Sequence, residues 1–315
     1  SERSKNVPAM GANGSVRISS FEVTDMTKDD SVAPPDVSIL LTFDFDAISI
    51  WLSQMNSRAA GTLSRGEFGA RVGADRVLRL LEQFDIYSTW FIPGHTIDTF
   101  PEVCSRIVEA GHDIQHHGYA HEPLEGLDPA TEARYLEMGI EAIERLTGRS
   151  PIGYRSPSWN LNEHSPHLLE SYNFEFDSSL MATDFEMYWL REGDTIEANQ
   201  RFVFGRPTSI VEVPVSWSLD DFPPFTFVWD PLRPGYGSTE AIERDWLDHV
   251  DYALEHTPGG VVTITMHPQV TGRVHVLRMV ERVIGAITDR SGAKFTTVSN
   301  AVRHAKDHDL VRTLI

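Results

Sequence analysis

Residues 37–46 have the sequence VSILLTFDFD, and this stretch decides the fold. Its first seven residues are rich in apolar and β-branched side chains, which predicts a buried strand. Asp44 and Asp46 come at the strand end, and alternation along a strand sends both carboxylates to one face and Phe43 and Phe45 to the other. Two adjacent carboxylates repel each other unless a cation joins them, one acid then serving as ligand and the other as base. An Asp-x-Asp pair by itself favours the alternative to a cation site, in which the aspartates at the strand end cap the next loop.

Strands and helices alternate along the rest of the chain. Asp128 as N-cap, Pro129 at the first helical position and Gly148 as terminator predict one helix, and helical patterns recur near 239–256 and 274–287. The other predicted strands are 86–92, 112–115, 152–155, 174–177, 210–215, 261–266 and 294–298. This alternation predicts parallel βαβ units in either a barrel or a large open sheet. In both architectures the chemistry belongs at the carboxyl ends of the strands.

The composition excludes several classes of partner. The 315 residues include 27 Lys and Arg against 46 Asp and Glu, and the net charge of −19 argues against nucleic acid and anionic membrane surfaces. No apolar run approaches the roughly 18 residues of a membrane span. A cytoplasmic protein is therefore expected, with a removed leader left open because the chain begins at Ser1. The single cysteine, Cys104, excludes a cysteine-based metal site, so any metal must be held by histidines and carboxylates.

The first 36 residues differ from the remainder of the chain. They contain Gly, Ser, Asn, Asp and Pro without a sustained period, which predicts an irregular N-terminal arm over residues 1–36. We assign no chemistry to this arm. One large domain, residues 37–315, is expected to follow it.

Two histidines come directly after the predicted strand 112–115. His117 and His121 are four residues apart, so on a helical turn they would share a face and could share a metal. The spacing alone is weak, because His304 and His308 repeat it in a charged helix where a solvated surface pair is the simpler interpretation.

Polar groups follow three later strands. Arg155, Pro157 and Trp159 would share a face if extended, where the arginine could orient an aspartate and the tryptophan could wall a pocket; an X-Pro turn with a surface arginine and a core tryptophan is the alternative. His267 ends the strand 261–266, a position at which a lone histidine is more often structural. The remaining candidates, first of all loop carboxylates, are Asp177, Asp220 and Asp221.

Together, these groups resemble the polysaccharide deacetylase family, the carbohydrate esterases that share the chitooligosaccharide deacetylase homology domain. The matching order is Asp-x-Asp, His-x3-His, Arg-x-Pro-x-Trp, a strand-end Asp and His-Pro, between residues 37 and about 300. The resemblance implies a single large α/β domain folded as a distorted (β/α) barrel. It also implies roles for individual residues: Asp46, His117 and His121 as metal ligands, Asp44 as base, Arg155 as its tether, Trp159 as pocket wall and His267 as general acid.

The implied activity is metal-dependent hydrolysis of a carbon–nitrogen bond other than a peptide bond. N-deacetylation of an acetylated amino sugar or polysaccharide is expected, with Zn²⁺ as the metal and Co²⁺, Ni²⁺ or Fe²⁺ suiting the same ligands. Tyr119 and Pro157 are expected to bind substrate or to support the site. One carboxylate among Asp177, Asp220 and Asp221 is expected to hold His267, and the sequence does not choose among them.

Two departures from the familiar family pattern leave the substrate open. A phenylalanine separates the aspartates, which are adjacent in familiar members, and Gly118 replaces the usual serine or threonine. Both changes resemble the branch with intracellular peptidoglycan-deacetylase-like proteins, allantoinases and cyclic imidases. A small cyclic amide or imide is therefore the alternative substrate, and the aromatic segment 221–231 could cover the site or pack in a homo-oligomer. A binding protein that has lost turnover is the second alternative.

Overall fold

A computed structural model of the protein describes residues 36–228, 232–233 and 235–314, which belong to one compact unit. The predicted arm lies outside these residues apart from Asp36. The strands of this part are β1 (Val37–Asp44), β2 (Thr89–Ile92), β3 (Asp113–His116), β4 (Gly153–Tyr154), β5 (Phe176–Asp177), β6 (Tyr188–Glu192), β7 (Arg206–Glu212), β8 (Val261–Met266) and β9 (Ala293–Thr296).

The helices surround these strands. The α-helices are α1 (Ser49–Leu52), α2 (Ala60–Phe68), α3 (Ala74–Gln83), α4 (Gly94–Thr99), α5 (Pro101–Glu109), α6 (Pro129–Thr147), α7 (Ser165–Ser171), α8 (Phe222–Phe225), α9 (Thr239–His256), α10 (Pro268–Thr271), α11 (Val274–Thr288) and α12 (Val298–Asp307). A π-helix spans Gly69–Gly73, and 3-10 turns span Pro157–Trp159 and Trp217–Leu219. Across the described ranges, no helix has both the length and the apolar character needed to cross a membrane.

All nine strands of the described part lie in one sheet. Their order is β6-β7-β5-β4-β3-β2-β1-β8, with β9 also pairing with β1, and every pair is parallel except the β6–β7 hairpin. Beyond β7 the chain reaches β8, where Asp220 forms a parallel bridge with Thr265 and the Asp221 amide donates to the Thr265 carbonyl at 3.1 Å. This bridge closes the sheet into a distorted barrel and confirms the predicted fold class.

Strand β1 lies between β2 and β8 in the sheet and is almost entirely buried. Phe43 stacks on Trp90 with ring centroids 4.6 Å apart, and Phe45 meets the same indole edge-on at 5.8 Å. Burying each ring contributes roughly 1.5–3 kcal/mol. Because the phenylalanines occupy the core side, Asp44 and Asp46 face the carboxyl end of the barrel together, as the alternation predicts.

Helix α6 begins and ends as the sequence predicts. The Asp128 side chain accepts hydrogen bonds from the Ala130 and Thr131 amides, which are among the unpaired donors of the first turn. Gly148 ends the helix with φ of 75°, a left-handed conformation that glycine adopts without strain. The carbonyl of Leu136 on this helix lies 3.1 Å from His116 Nε2, so α6 fixes the end of β3.

Candidate active site

Asp46, His117 and His121 converge at the carboxyl end of the barrel. Asp46 Oδ1 lies 3.4 Å from His117 Nε2 and 3.7 Å from His121 Nε2. One ligand atom of each residue lies within 4.8 Å of the other two, and all three residues are buried. Strands β1 and β3 therefore bring together an aspartate and a histidine pair that are far apart in sequence.

The hydrogen bonding of this cluster suits a cation. His117 Nδ1 lies 2.7 Å from the Arg155 carbonyl, which can only accept, so Nδ1 carries the proton and Nε2 presents its lone pair toward Asp46. Asp46 Oδ1 is buried and has no hydrogen-bond partner among the described residues. An unpaired buried carboxylate oxygen beside two imidazole nitrogens is a donor set that divalent transition metals favour. The three residues thus fit a divalent metal.

The charges around the cluster also favour the binding of a cation. Burial raises the pKa of Asp46, but the charge of His121, the close approach of His117 and the charge of His267 outweigh it and lower that pKa to about 2. Burial lowers the pKa of His121 to about 4. Burial also opposes the charged form of His117, yet Asp44 and Asp46 raise its pKa overall. The field that attracts a proton to His117 also attracts a metal cation.

Asp44 is held by a buried arginine. Arg155 Nη1 donates to Asp44 Oδ1 at 2.8 Å and to Thr42 Oγ1 at 2.8 Å, while Nε and Nη2 donate to the carbonyl and hydroxyl of Ser178 at 3.0 and 2.9 Å. The guanidinium also lies 4.1 Å from the centroid of the Phe91 ring. These contacts stabilise a fully buried charge that would otherwise be costly. Oδ2 of Asp44 remains for the metal cluster, 3.9 Å from His117 Nε2.

His267 lies on the other side of the cluster, with Nε2 3.8 Å from Asp46 Oδ2. Its Nδ1 is 2.8 Å from Asp221 Oδ1, and Asp220 Oδ1 is 3.5 Å away. The Asp221 carboxylate also accepts from the His267 amide and from Thr271 Oγ1. Burial lowers the pKa of His267, but Asp220, Asp221 and Asp46 raise it to about 10. Of the three carboxylates left open by the sequence, Asp221 is the one that contacts the imidazole most closely.

Asp177 lies near Arg155 and not near His267. It accepts a hydrogen bond from Ser179 Oγ at 2.8 Å and contacts Glu212, whose Oε1 accepts from the Ser179 and Leu180 amides at 2.9 and 2.8 Å. Burial raises the pKa of both carboxyls, and the charge of Asp177 raises that of Glu212 further, well above its ordinary range. This pair fixes the segment whose Ser178 holds Arg155, and it does not orient His267.

The histidine loop is not the helical turn that the spacing suggested. Gly118 has φ of +70° and His121 has φ of +55°, both left-handed, and the Glu122 carboxylate accepts from the Tyr119 and Ala120 amides at 3.2 and 2.7 Å. A Cβ on Gly118 would lie 2.7 Å from Glu122 Oε1. Glycine occupies position 118, where serine or threonine is usual in the family, because the loop turns back and packs against Glu122.

The segment after Arg155 is not extended as expected. Pro157–Trp159 forms a 3-10 turn in which Ser158 and Trp159 have φ of 58° and 55°. Pro157 contacts the histidine loop at Gly118, and Trp159 stacks on the exposed Trp217 with centroids 4.2 Å apart. The two consecutive left-handed residues turn Trp159 away from an alternating strand pattern.

The side chains of Tyr119 and Gln269 have different partners. The Tyr119 hydroxyl donates to Asp98 at 3.1 Å on α4, at the surface. Gln269, which no motif in the sequence marks, donates from Nε2 to Asp46 Oδ2 at 3.2 Å and so helps to orient the Asp46 carboxylate. Its position two residues after His267 is the only sequence signal that could have indicated it.

Four known proteins or families are similar to this chain. The polysaccharide deacetylase family model matches residues 32–176. A peptidoglycan deacetylase of Helicobacter pylori is 34% identical over 274 residues, covering 83% of this chain and 94% of that protein. A solved structure from Mycobacterium smegmatis, assigned to the polysaccharide deacetylases, has a TM-score of 0.79 at 34% identity and covers 91% of this chain and 96% of its own. An allantoinase structure shares the fold, with a TM-score of 0.71 at 21% identity over 88% of this chain and 95% of its own.

Proposed function

The chain belongs to the polysaccharide deacetylase family, and from that premise we propose that it hydrolyses the N-acetyl group of an amino sugar in peptidoglycan or a related polysaccharide. The observation that carries the proposal is the unpaired, buried Oδ1 of Asp46 facing two imidazoles. A tethered carboxylate, Asp44, and an imidazole with a raised pKa, His267, lie beside it. These are the groups that amide hydrolysis requires.

Asp46, His117 and His121 would hold a divalent metal, and we propose Zn²⁺. Two imidazoles and one carboxylate match the ligand types of catalytic zinc sites. When bound, such an ion polarises the acetyl carbonyl and makes a water molecule more acidic. Gln269 orients Asp46 through its hydrogen bond, and the Arg155 carbonyl fixes the His117 tautomer.

The chain's own residues then carry the protons. Asp44, held at Oδ1 by Arg155, presents Oδ2 as the base that takes a proton from the attacking water. His267, charged near neutral pH, donates the Nε2 proton to the departing nitrogen, because an amine anion is too poor a leaving group to depart unaided. Asp221 holds His267 at Nδ1 and keeps Nε2 directed toward the cluster.

An exposed pair of stacked tryptophans supports a sugar substrate. Trp217 is 47% exposed and lies stacked on the buried Trp159, so its outer face is a flat apolar platform fixed from below. We propose that Trp159 contributes to the pocket wall through this pair. We also propose that residues 37–315 form the catalytic domain.

The test is release of acetate by the purified, zinc-loaded chain. We expect acetate from N-acetylglucosamine oligomers or from peptidoglycan, detected by a coupled acetate assay, and no ring opening of a simple cyclic imide at equal enzyme concentration. Ring opening of the imide without release of acetate would reject the deacetylase assignment and favour the cyclic-amide alternative.

The pH profile tests the assignment of His267 as the acid. An acid must be protonated, so its contribution is lost as pH rises through its folded pKa, which Asp220, Asp221 and Asp46 raise to about 10 against the effect of burial. Asp221→Asn removes one of those charges, and the descending limb of kcat/KM should move to lower pH by about one to three units. Asp98→Asn, at an exposed carboxylate on α4, is the control and should leave the limb in place. An unmoved limb in Asp221→Asn contradicts the assignment.

A further inference from the structure

Two buried carboxyl groups take no part in the proposed proton transfers. Asp177 on β5 and Glu212 on β7 are paired in the parallel strand register, and neither is exposed to solvent. Paired residues on neighbouring strands lie roughly 4.8 Å apart and point to the same face of the sheet. The two side chains are within hydrogen-bonding distance of each other. A buried acidic pair is costly unless part of its charge is neutralised.

Hydrogen bonds from the surrounding chain account for two of the four oxygens of the pair. Asp177 Oδ1 accepts from Ser179 Oγ at 2.8 Å, and Glu212 Oε1 accepts from the Ser179 and Leu180 amides at 2.9 and 2.8 Å. The other two oxygens, Asp177 Oδ2 and Glu212 Oε2, are buried and have no hydrogen-bond partner among the described residues. An ionised carboxylate can only accept, so a hydrogen bond between these two oxygens requires a proton on one of them.

The charges around the pair also fit a single proton. Arg155 opposes the rise in the pKa of Asp177, and this arginine is already paired with Asp44. With both acids ionised, these four groups would carry three negative charges against one positive charge, whereas one proton leaves two negative charges. Burial raises the pKa of both carboxyls, and the charge of Asp177 raises that of Glu212 further. Two acids in contact titrate as a unit and can hold one proton between them.

The pair also fixes the segment that holds the arginine. Ser178 lies between Asp177 and Ser179, and its carbonyl and hydroxyl accept from Arg155 Nε and Nη2 at 3.0 and 2.9 Å. The Ser178 amide donates to the Tyr154 carbonyl on β4 at 3.0 Å, so the segment is fixed by β4 on one side and by the acidic pair on the other. Two of the four hydrogen bonds of the guanidinium therefore depend on this segment.

We propose that Asp177 and Glu212 share one proton and that, as a pair, they position Arg155. Through this arginine the pair fixes the orientation of Asp44, the proposed base. The shared proton allows two acids to pack side by side, so that Glu212 can hold two backbone amides without adding a further uncompensated charge behind the arginine. The inference rests on the proposed function, because it assumes that Asp44 acts as the base.

Infrared difference spectroscopy tests the shared proton without turnover. The carbonyl stretch of a protonated carboxyl group is distinct from that of a carboxylate, and the zinc-loaded wild type is compared with Glu212→Gln and with Asp177→Asn at neutral pH. We expect each variant to lose one protonated-carboxyl band, because the amide supplies an N–H donor in place of the shared proton and the other acid stays ionised. Glu137→Gln, at an exposed carboxylate that accepts from Tyr172, should lose none.

Kinetics of the same variants test the positioning role. Glu212→Gln keeps an acceptor for the two amides, so kcat for acetate release should stay within about twofold of the wild type. Glu212→Met has a similar length but no such acceptor, so the segment that holds Arg155 should shift. We expect kcat to fall about tenfold to a hundredfold in Glu212→Met, as for a small displacement of a catalytic group, with KM and bound zinc unchanged.

Ser179→Ala is a milder variant for the case in which Glu212→Met does not fold. It removes the hydroxyl that donates to Asp177, and kcat should fall about twofold to tenfold, again with KM and zinc content unchanged. Wild-type kcat in both Ser179→Ala and Glu212→Met, or a loss in Glu212→Gln as large as that in Glu212→Met, overturns the positioning role. A loss of zinc that accompanies the loss of kcat also overturns it.

The infrared comparison keeps this inference separate from the deacetylase assignment. A chain that releases no acetate from any sugar would reject that assignment, yet its spectrum would still report the proton between Asp177 and Glu212. A chain that releases acetate while Glu212→Gln and Asp177→Asn both retain the band would overturn the shared proton alone.

Discussion

Asparagine at position 44 is expected to lower kcat for acetate release by about 10² to 10⁴ while the metal content of the protein stays unchanged. The asparagine oxygen can still accept the hydrogen bond of Arg155, which donates to Asp44 at 2.8 Å, so the geometry is retained. What is lost is the basic oxygen that faces the cluster. Steady-state kinetics and metal analysis of the same preparation separate the two effects.

The outcome for Asp44→Asn is compared with Asp75→Asn. Asp75 is a partly exposed carboxylate that pairs with Arg106 away from the cluster, so its amide variant should keep full activity. Turnover in Asp44→Asn at the level of this control would mean that another group takes the proton from water.

Alanine at His121 is expected to remove the metal. One of three ligand atoms is lost, and the affinity for Zn²⁺ should fall by more than about a hundredfold, since even an outer hydrogen-bond partner of a ligand is worth 10–100-fold. Bound zinc per chain, measured after dialysis, should fall to background, and acetate release should fall with it. Chelated wild type should lose the same activity and recover it when Zn²⁺ is returned, whereas His121→Ala should not recover.

The matched control is His304→Ala. His304 and His308 share the four-residue spacing of the proposed ligands, but His304 lies on the exposed side of α12 and the exposed His308 follows its last residue, with ring centroids 4.1 Å apart. Zinc content in this variant should equal that of the wild type. Retained stoichiometric zinc in His121→Ala would remove His121 from the ligand set.

The elements that could be predicted from sequence are those fixed by local chemistry. Helix α6 has a side-chain N-cap, a proline at its first position and a left-handed glycine at its end, and both bounds follow from these residues. Strand β8 is rich in apolar and β-branched residues and is buried on both faces, and its bounds match the predicted 261–266. The order of the polar groups at the strand ends resembles that of the polysaccharide deacetylase family, and this resemblance implies the barrel.

The parts that could not be predicted depend on loop geometry and on tertiary contacts. The left-handed turn at Gly118 is stabilised by Glu122, and that at Trp159 by packing on Trp217, so neither follows from residue spacing. Strand β6 was not predicted, because it forms only as the antiparallel partner of β7. Whether Asp177, Asp220 or Asp221 holds His267 depends on where the chain after β7 reaches β8. The expected cytoplasmic location and homo-oligomer stay predictions.

The closure of the barrel has a consequence for how the protein loses activity. In the described ranges, backbone pairing between the chain beyond β7 and strand β8 consists of one bridge, Asp220 to Thr265, whereas β1 pairs with β8 over six residues. The Asp221 carboxylate supplies much of the remaining hold through the His267 amide and Thr271. A thermal fluctuation that parts this seam therefore separates Asp221 from His267, the proposed proton donor, while His267 stays beside the aspartates because β8 remains paired with β1. Heat would thus lower activity through loss of the Asp221 contact before the fold melts.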